Sequence, residues 1–161
     1  YGTAANGGSN TSGTVFKLNP DGTGFTVLKN FDHSTTGAFP YAGLMQGTDG
    51  ALYGTANSGG SSGAGTVFKL NPDGTGFTVL KNLDSSTTGG YPYAGLMQGT
   101  DGALYGTAYQ GGSSEYGTVF KLNPDGTSFT VLKNFDDSIA GAYPYAGLLQ
   151  GTDGALYGTA A

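Results

Sequence analysis

The sequence predicts an all-β fold built from tandem four-stranded antiparallel sheets. Residues 13–30 return unchanged at 65–82 and, with one substitution, at 117–134, which is a step of 52 residues. A fixed period of this length is typical of repeat architectures. Each step also contains four short runs rich in β-branched and aromatic residues, bounded by Gly, Pro, Asn and Asp. Such runs predict strands, and no helical periodicity competes with them.

The four runs of one repeat are predicted at residues 41–47, 51–56, 65–71 and 76–83. A Thr-Asp-Gly turn joins the first run to the second, and an Asn-Pro-Asp-Gly turn joins the third to the fourth. Both turns favour tight hairpins, because Pro fixes φ and Asp-Gly tolerates positive φ. A Gly/Ser-rich loop joins the second run to the third. Each repeat is therefore predicted to be an antiparallel meander.

Both faces of the predicted strands carry apolar side chains. Because successive residues of a strand alternate, Phe68 and Leu70 point to one face and Val67 to the other. In the fourth run, the same alternation predicts that Phe77 and Leu83 share a face. A sheet that is apolar on both sides must be covered on both sides, and stacking between copies of itself achieves this.

Two architectures satisfy that requirement, a β-propeller and a β-solenoid. A 52-residue unit with four strands favours propeller blades, because solenoid coils are usually about 20 to 30 residues long. The array consists of residues 1–52, 53–104 and 105–156, and residues 157–161 begin a fourth unit. A ring needs about four to eight blades. The sequence therefore leaves open a six-bladed ring of two chains, a longer native chain, and an open fibre or solenoid.

Composition excludes several classes of partner and site. The net charge is −5, with six basic residues, all of them Lys, so no basic face is available for nucleic acid. There is no Cys, which excludes disulfides and thiolate metal sites. No apolar run is long enough to predict a membrane span. The Gly-rich, charge-poor composition favours an extracellular or cell-surface location in a bacterium.

The repeat motif resembles a known bacterial family. In the second unit the motif consists of Asp49-Gly50 through Tyr53-Gly54-Thr55, followed by Gly-Thr-Val-Phe-Lys-Leu at residues 65–70. It resembles the Gloeobacter/Verrucomicrobia-type tandem repeat, also called the GloVer repeat, and its strand order resembles NHL-type propeller blades. The resemblance covers all three units. It implies β-propeller-like packing in a secreted or surface-anchored protein, and it implies no catalytic activity.

The three units differ from one another mainly in two loops. Because an antiparallel meander reverses at each strand, both loops are predicted at one edge of the sheets and the unchanged turns at the other. Function on rigid scaffolds concentrates in loops, so the variable edge is the predicted contact surface, with neutral drift of solvated loops as the alternative. The loops span residues 4–13, 56–65 and 108–117, and residues 32–39, 84–91 and 136–143. The candidate contact residues are Asn10, His33, Asn57, Asp84, Tyr109, Gln110, Glu115, Tyr116 and Asp137.

Tyrosines fall into two groups in this prediction. Tyr109 and Tyr116, with Glu115 beside them, distinguish the third unit and would suit sugar stacking combined with hydroxyl hydrogen bonds. Simple surface variation is the alternative for these three. The tyrosines that recur at fixed phase are expected to serve packing, and they are Tyr41, Tyr93, Tyr145, Tyr53, Tyr105 and Tyr157.

No catalytic or metal-binding set is predicted. Each Asp-containing turn offers one carboxylate, whereas a calcium loop needs several oxygens, so no cofactor is expected and calcium is a minor alternative. His33 is the sole His, and no Ser/His/Asp set recurs. The protein is therefore predicted not to be an enzyme, with a glycan hydrolase using paired carboxylates as a remote alternative.

The leading functional prediction is a non-enzymatic extracellular repeat scaffold or recognition module that contacts glycans or proteins through its variable loops. The alternative is a structural subunit of an extracellular filament or surface layer. In either case the chain is expected to self-associate through repeat packing or through free strand edges, which present unpaired backbone groups.

Overall fold

The computed structural model of the chain describes residues 1–138 and 141–161. These residues form β-strands and no helix, so the predicted all-β class is confirmed, and no helix among them is long and apolar enough to cross a membrane. The strands are β1 (Gly2–Ala4), β2 (Thr14–Lys17), β3 (Thr26–Asn30), β4 (Met45–Gln46), β5 (Leu52–Ala56), β6 (Thr66–Leu70), β7 (Thr78–Asn82), β8 (Met97–Gln98), β9 (Leu104–Ala108), β10 (Thr118–Leu122), β11 (Thr130–Asn134), β12 (Leu149–Gln150) and β13 (Leu156–Tyr157).

The strands form separate antiparallel sheets in which each strand pairs with its neighbour in sequence. The first sheet contains β1–β3, the second β4–β7, the third β8–β11 and the fourth β12–β13. The predicted four-stranded meander is thus confirmed in the second and third sheets. No sheet closes on itself among the described residues, and the propeller-like arrangement remains a prediction.

The first strand of each meander is much shorter than the predicted run of residues 41–47. In the second sheet only Met45–Gln46 joins the ladder. The residues before it are held by a hydroxyl of the preceding sheet, because Thr3 Oγ1 donates to Ala42 O at 2.9 Å. Thr55 Oγ1 makes the same bond to Ala94 O at 2.9 Å one repeat later. A hydrogen bond from a side chain therefore takes the place of strand-to-strand backbone hydrogen bonds at this point.

A β-bulge changes which face the end of the fourth strand presents. The register between β6 and β7 shifts between Val67 and Phe68, so that β7 carries one extra residue there, Leu80. Beyond the bulge the alternation of side chains is offset by one residue. Phe77 packs in the cluster shared with the first sheet, whereas Leu83 packs in the cluster shared with the third. The prediction that these two residues share a face is wrong.

Each apolar face of the second sheet is covered by a neighbouring sheet. Phe68 faces the first sheet, where its ring centroid lies 5.1 Å from that of Phe31. Val67 faces the third sheet and lies in the same buried cluster as Phe120. All four side chains are 0% exposed, and full burial of such a side chain contributes about 1.5–3 kcal/mol. The predicted covering of one repeat by its copies is confirmed here.

Candidate functional site

The two kinds of variable loop lie together at one edge of the sheets, here called the variable-loop edge (residues 4–13, 32–39, 56–65, 84–91, 108–117 and 136–143). Residues 139 and 140 of this set lie outside the described residues. Ala38 N donates to Ser58 O at 2.7 Å, and Ser58 N donates back to Ala38 O at 3.1 Å. Gly90 and Gln110 exchange the same pair of bonds one repeat later. The predicted shared edge is therefore confirmed.

Glycine permits the closest approach between these loops. Gly60 N donates to His33 O at 2.8 Å, and the preceding Gly59 has a φ of +74°. A Cβ atom on Gly59 would overlap the His33 carbonyl oxygen. Gly111 meets the carbonyl of Ser85 in the same way in the next repeat. The Gly-Gly pair is thus a contact point between repeats and not simply a flexible linker.

Asp84, a predicted contact residue, closes a turn within its own loop. Its Oδ1 accepts bonds from the Ser86 hydroxyl at 2.6 Å and the Ser86 N–H at 3.0 Å, with further bonds from Thr87. These donors hold the pKa of the Asp84 carboxyl below its ordinary value, with the Ser86 hydroxyl as the largest cause. The carboxylate is therefore engaged in shaping the loop.

An aromatic cluster runs along the variable-loop edge and joins neighbouring repeats. The ring of Tyr41 stacks on Tyr93 with centroids 5.5 Å apart, and Tyr93 contacts Tyr145 at 4.9 Å. Tyr109 contacts both Tyr93 at 5.2 Å and Tyr145 at 4.5 Å. The members of the aromatic cluster are Phe39, Tyr41, Tyr93, Tyr109, Tyr116, Tyr143 and Tyr145.

The aromatic cluster combines packing with exposure. Tyr41 and Tyr145 were expected to serve packing, and they do contact other rings, yet they remain 52% and 55% exposed. Tyr109, a predicted contact residue, lies between repeats, and a hydrogen bond with the Tyr145 hydroxyl raises the pKa of Tyr109 to about 12. The Tyr109 hydroxyl is therefore protonated at neutral pH, so it enters this surface as an uncharged polar group.

Three aromatic residues at this edge have a strained backbone. Phe39, Tyr91 and Tyr143 occupy equivalent positions, each before a Pro, with φ values of 56°, 58° and 53°. Positive φ is a genuine outlier for bulky residues. The conformation is held by the neighbouring variable loop, since Tyr143 N donates to Tyr116 O at 2.9 Å. Strained backbone of this kind clusters at functional sites in proteins, which favours this edge as the candidate functional site.

The remaining predicted contact residues divide by burial. Asn57 is 7% exposed, and its amide donates to Pro92 O at 3.3 Å, so it links neighbouring repeats beneath the surface and offers little to a partner. Tyr116 belongs to the aromatic cluster and is half-buried. The others are exposed on the variable-loop edge, and they are Asn10, His33, Gln110, Glu115 and Asp137.

The opposite edge, here called the invariant-turn edge, consists of the Thr-Asp-Gly and Asn-Pro-Asp-Gly turns. Its carboxylates are occupied locally: Asp49 Oδ2 accepts the Tyr53 hydroxyl at 2.7 Å, and Asp21 Oδ1 accepts the Thr23 hydroxyl at 2.7 Å. Burial of the Tyr53 ring and its bond to Asp49 raise the pKa of Tyr53 well above its ordinary value. Within residues 1–138 and 141–161, no three His, Asp or Glu side chains gather as metal ligands would.

Acid should weaken one of these turns in a defined pH range. The Tyr105 hydroxyl and Lys121 Nζ, 3.0 Å away, lower the pKa of Asp101 to about 2. Since the unfolded value is about 3.9, the stabilisation is complete above about pH 4 and disappears as the pH falls through about 2. The melting temperature of Asp101→Asn should therefore lie below that of the wild type at neutral pH and converge with it near pH 2.

Thermal denaturation across this pH range tests the assignment. Lys121→Met is the matched variant, because it removes the cation and keeps the Tyr105 bond, so it should show a smaller difference of the same form. A melting-temperature difference for Asp101→Asn that does not change with pH would contradict the local origin of the shift.

Comparison with known protein families identifies the repeat. The family model of the Gloeobacter/Verrucomicrobia repeat matches residues 1–161, which confirms the resemblance drawn from the motif. No curated protein matches the chain. The resemblance to propeller blades remains a prediction.

Proposed function

The chain belongs to the Gloeobacter/Verrucomicrobia repeat family, and on that premise we propose that it is a non-enzymatic extracellular scaffold and recognition module. Its contact surface is the variable-loop edge, and its partners are glycans or proteins. The Gly-rich, charge-poor composition supports an extracellular or cell-surface location. The repeated sheets supply a rigid support, and the loops that differ between repeats supply the contacts.

The aromatic cluster is the observation that carries this proposal. Its rings come from the variable loops and from the recurring tyrosines that directly follow them, and two of these recurring tyrosines, Tyr41 and Tyr145, are more than half exposed. The cluster also joins neighbouring repeats. A tyrosine ring presents apolar area with a polar hydroxyl at its tip, the combination that favours enrichment at binding interfaces. On the invariant-turn edge, by contrast, the tyrosine hydroxyls are bound to aspartates of the same turns.

The chemistry of this edge favours an uncharged partner. The chain has a net charge of −5, which disfavours an acidic polymer as the partner. Gln110 and Glu115, both exposed beside the cluster, offer amide and carboxylate groups to sugar hydroxyls or peptide N–H groups. A neutral glycan or an apolar segment of a protein suits such a surface best.

Substitution within the aromatic cluster should weaken partner binding. Tyr145→Ala removes a ring that is largely exposed, and Tyr109→Ala removes the ring that it contacts at 4.5 Å. Truncating an aromatic anchor at an interface commonly costs at least about 2 kcal/mol, so each change should weaken affinity more than about tenfold. Binding is measured on an array of neutral oligosaccharides and extracellular-matrix proteins, followed by titration calorimetry on the best binder.

Thr152→Ala is the matched control, because Thr152 is exposed on the invariant-turn edge. It should leave binding unchanged. Binding that is lost in Thr152→Ala and retained in both tyrosine variants would place the contact surface on the other edge and contradict the proposal.

A structural subunit of an extracellular filament or surface layer is the second candidate. It is favoured by the packing of the second sheet, both of whose apolar faces are covered by copies of the same unit. Electron microscopy distinguishes the two, since a filament subunit forms long fibres and a recognition module forms discrete particles.

A further inference from the structure

Among the described residues, the closest pair of aromatic rings consists of Tyr109 and Tyr145. Their centroids lie 4.5 Å apart, and their planes are inclined by 49°. A hydrogen bond also joins their hydroxyl groups. Tyr109 directly follows β9 of the third sheet, and Tyr145 lies in the segment that leads into β12 of the fourth. The pair therefore links two neighbouring sheets through their side chains.

The arrangement of this pair is close to that of a dityrosine. In dityrosine a carbon–carbon bond joins the two ring carbons that lie beside the hydroxyl groups. Rings bonded in this way are twisted relative to each other, and their hydroxyls can hydrogen-bond to one another. Tyr109 and Tyr145 already combine tilted rings with a bond between their hydroxyls. The carbons that would couple are therefore held near each other by the folded chain.

The composition of the chain directs one-electron oxidation to tyrosine. The sequence contains 11 Tyr, no Cys and no Trp. Cys and Trp are the other side chains that lose a single electron readily, so a radical formed on this chain settles on tyrosine. Within the aromatic cluster, Tyr93 lies 5.5 Å from Tyr41 and 5.2 Å from Tyr109, measured between centroids. A radical formed on one of these rings can thus reach Tyr109 from a neighbour.

The close pair is specific to the third unit. The positions equivalent to Tyr109 are Ala5 and Asn57 in the two earlier units, and neither side chain can form a phenoxyl radical. Tyr145, in contrast, has an equivalent tyrosine in each of them. The replacement at position 109 therefore places a second phenol against a tyrosine that recurs throughout the array.

We propose that one-electron oxidation couples Tyr109 to Tyr145, forming a dityrosine cross-link between the third and fourth sheets. The oxidant is a peroxidase that uses hydrogen peroxide. Each phenol gives one electron to the oxidant and its hydroxyl proton to water, and the two phenoxyl radicals then form one carbon–carbon bond. Each coupled carbon releases its hydrogen as a proton, and a proton returns to each oxygen. The net loss of two electrons and two protons reduces one hydrogen peroxide to two waters.

The cross-link would tie the repeats together in a chain that has no disulfide. It closes a covalent loop over residues 109–145, and cross-links of this kind stabilise a fold mainly by restricting the unfolded chain. Both hydroxyl groups are retained in the product. The modification does not depend on which partner binds at the variable-loop edge.

Photo-oxidation of the dilute protein with a ruthenium tris-bipyridine complex and persulfate tests the coupling. The wild-type chain should develop dityrosine fluorescence and remain a 16.1 kDa monomer that has lost two hydrogen atoms. Trypsin cleaves after Lys, so its digest should contain peptides 82–121 and 134–161 joined to each other. Fragment spectra of the joined peptide should place the new bond between Tyr109 and Tyr145.

Tyr109→Phe and Tyr145→Phe each keep the ring and remove the hydroxyl, so each should abolish the joined peptide. Tyr91→Phe is the matched control, because Tyr91 lies on the same edge and the equivalent residue of the preceding unit is Phe39. It should form the cross-link like the wild type. Oxidation should also raise the melting temperature of the wild type and not that of Tyr109→Phe.

Three results would overturn the proposal. The first is a wild-type chain that yields no dityrosine within the monomer. The second is a joined peptide that persists in Tyr109→Phe, which would show that Tyr145 couples to another tyrosine of peptide 82–121. The third is an oxidised wild-type chain that melts no higher than the untreated one, which would remove the stabilising role of the cross-link.

Discussion

Phe68→Ala should lower the free energy of unfolding by about 3–5 kcal/mol, the range found for Phe→Ala in packed cores. Phe68 is 0% exposed, and its ring contacts Phe31 of the first sheet at 5.1 Å and Phe77 of its own sheet at 5.6 Å. Truncation would leave a cavity between two sheets that are tied together by loops and cannot fully collapse. Urea denaturation followed by far-ultraviolet circular dichroism measures the loss.

Phe16→Ala is the matched control, because Phe16 holds the same strand position in the first sheet and is only partly buried there. It should cost less than half as much. Equal losses at the two positions would mean that the neighbouring sheet contributes nothing to the burial of Phe68.

Gly59→Ala should cost about 1–3 kcal/mol more than an alanine at an unobstructed glycine of the same loop. An alanine at φ +74° is strained by about 1–2 kcal/mol wherever it lies. Here its Cβ would also overlap the His33 carbonyl oxygen, and displacing that carbonyl strains the bond from Gly60 N. Overpacking of a rigid contact typically adds about 1–3 kcal/mol. Urea denaturation again provides the measurement.

Gly63→Ala supplies the comparison, since Gly63 has a φ of +79° and no atom within 4 Å of an added Cβ. It isolates the backbone strain from the steric overlap. If both alanine variants lowered the free energy of unfolding by the same amount, the loop contact between repeats would not contribute to stability. The interpretation of the Gly-Gly pair as a contact point would then be wrong.

The strands were largely predictable because their signals are local. The third run, predicted at residues 65–71, is observed at Thr66–Leu70, since β-branched residues and flanking Gly and Asn define both ends. The first run was predicted too long, because part of it is held by a side chain and not by a neighbouring strand. The side chain is the hydroxyl of Thr55, or of its equivalent, in the preceding repeat. A hydrogen bond from a side chain more than 35 residues away leaves no mark on local composition.

The face on which Leu83 lies was wrongly predicted for a related reason. Side chains alternate between the two faces of the strand until the bulge at Leu80. No Gly or Pro in that strand indicates the bulge in the sequence. The bulge recurs between Val15 and Phe16 and between Val119 and Phe120, so it belongs to the repeat and not to one sheet.

The variable-loop edge was predictable from topology, whereas the aromatic cluster was not. Tyr41 and Tyr93 meet because equivalent positions of stacked repeats lie next to each other, a contact that depends on how the sheets are arranged. A usable signal was nevertheless present, in the aromatic-Pro-Tyr motif that begins at Phe39, Tyr91 and Tyr143. The backbone strain at those three positions had no sequence signature.

The most direct test of the covering of each repeat by its neighbours is nuclear Overhauser spectroscopy of the aromatic and methyl protons. Cross-peaks between the rings of Phe31 and Phe68, and between the Leu83 methyls and the Phe120 ring, are expected, because each pair lies in one buried cluster. Spectra in which the Phe68 ring has cross-peaks only to its own repeat would contradict the account.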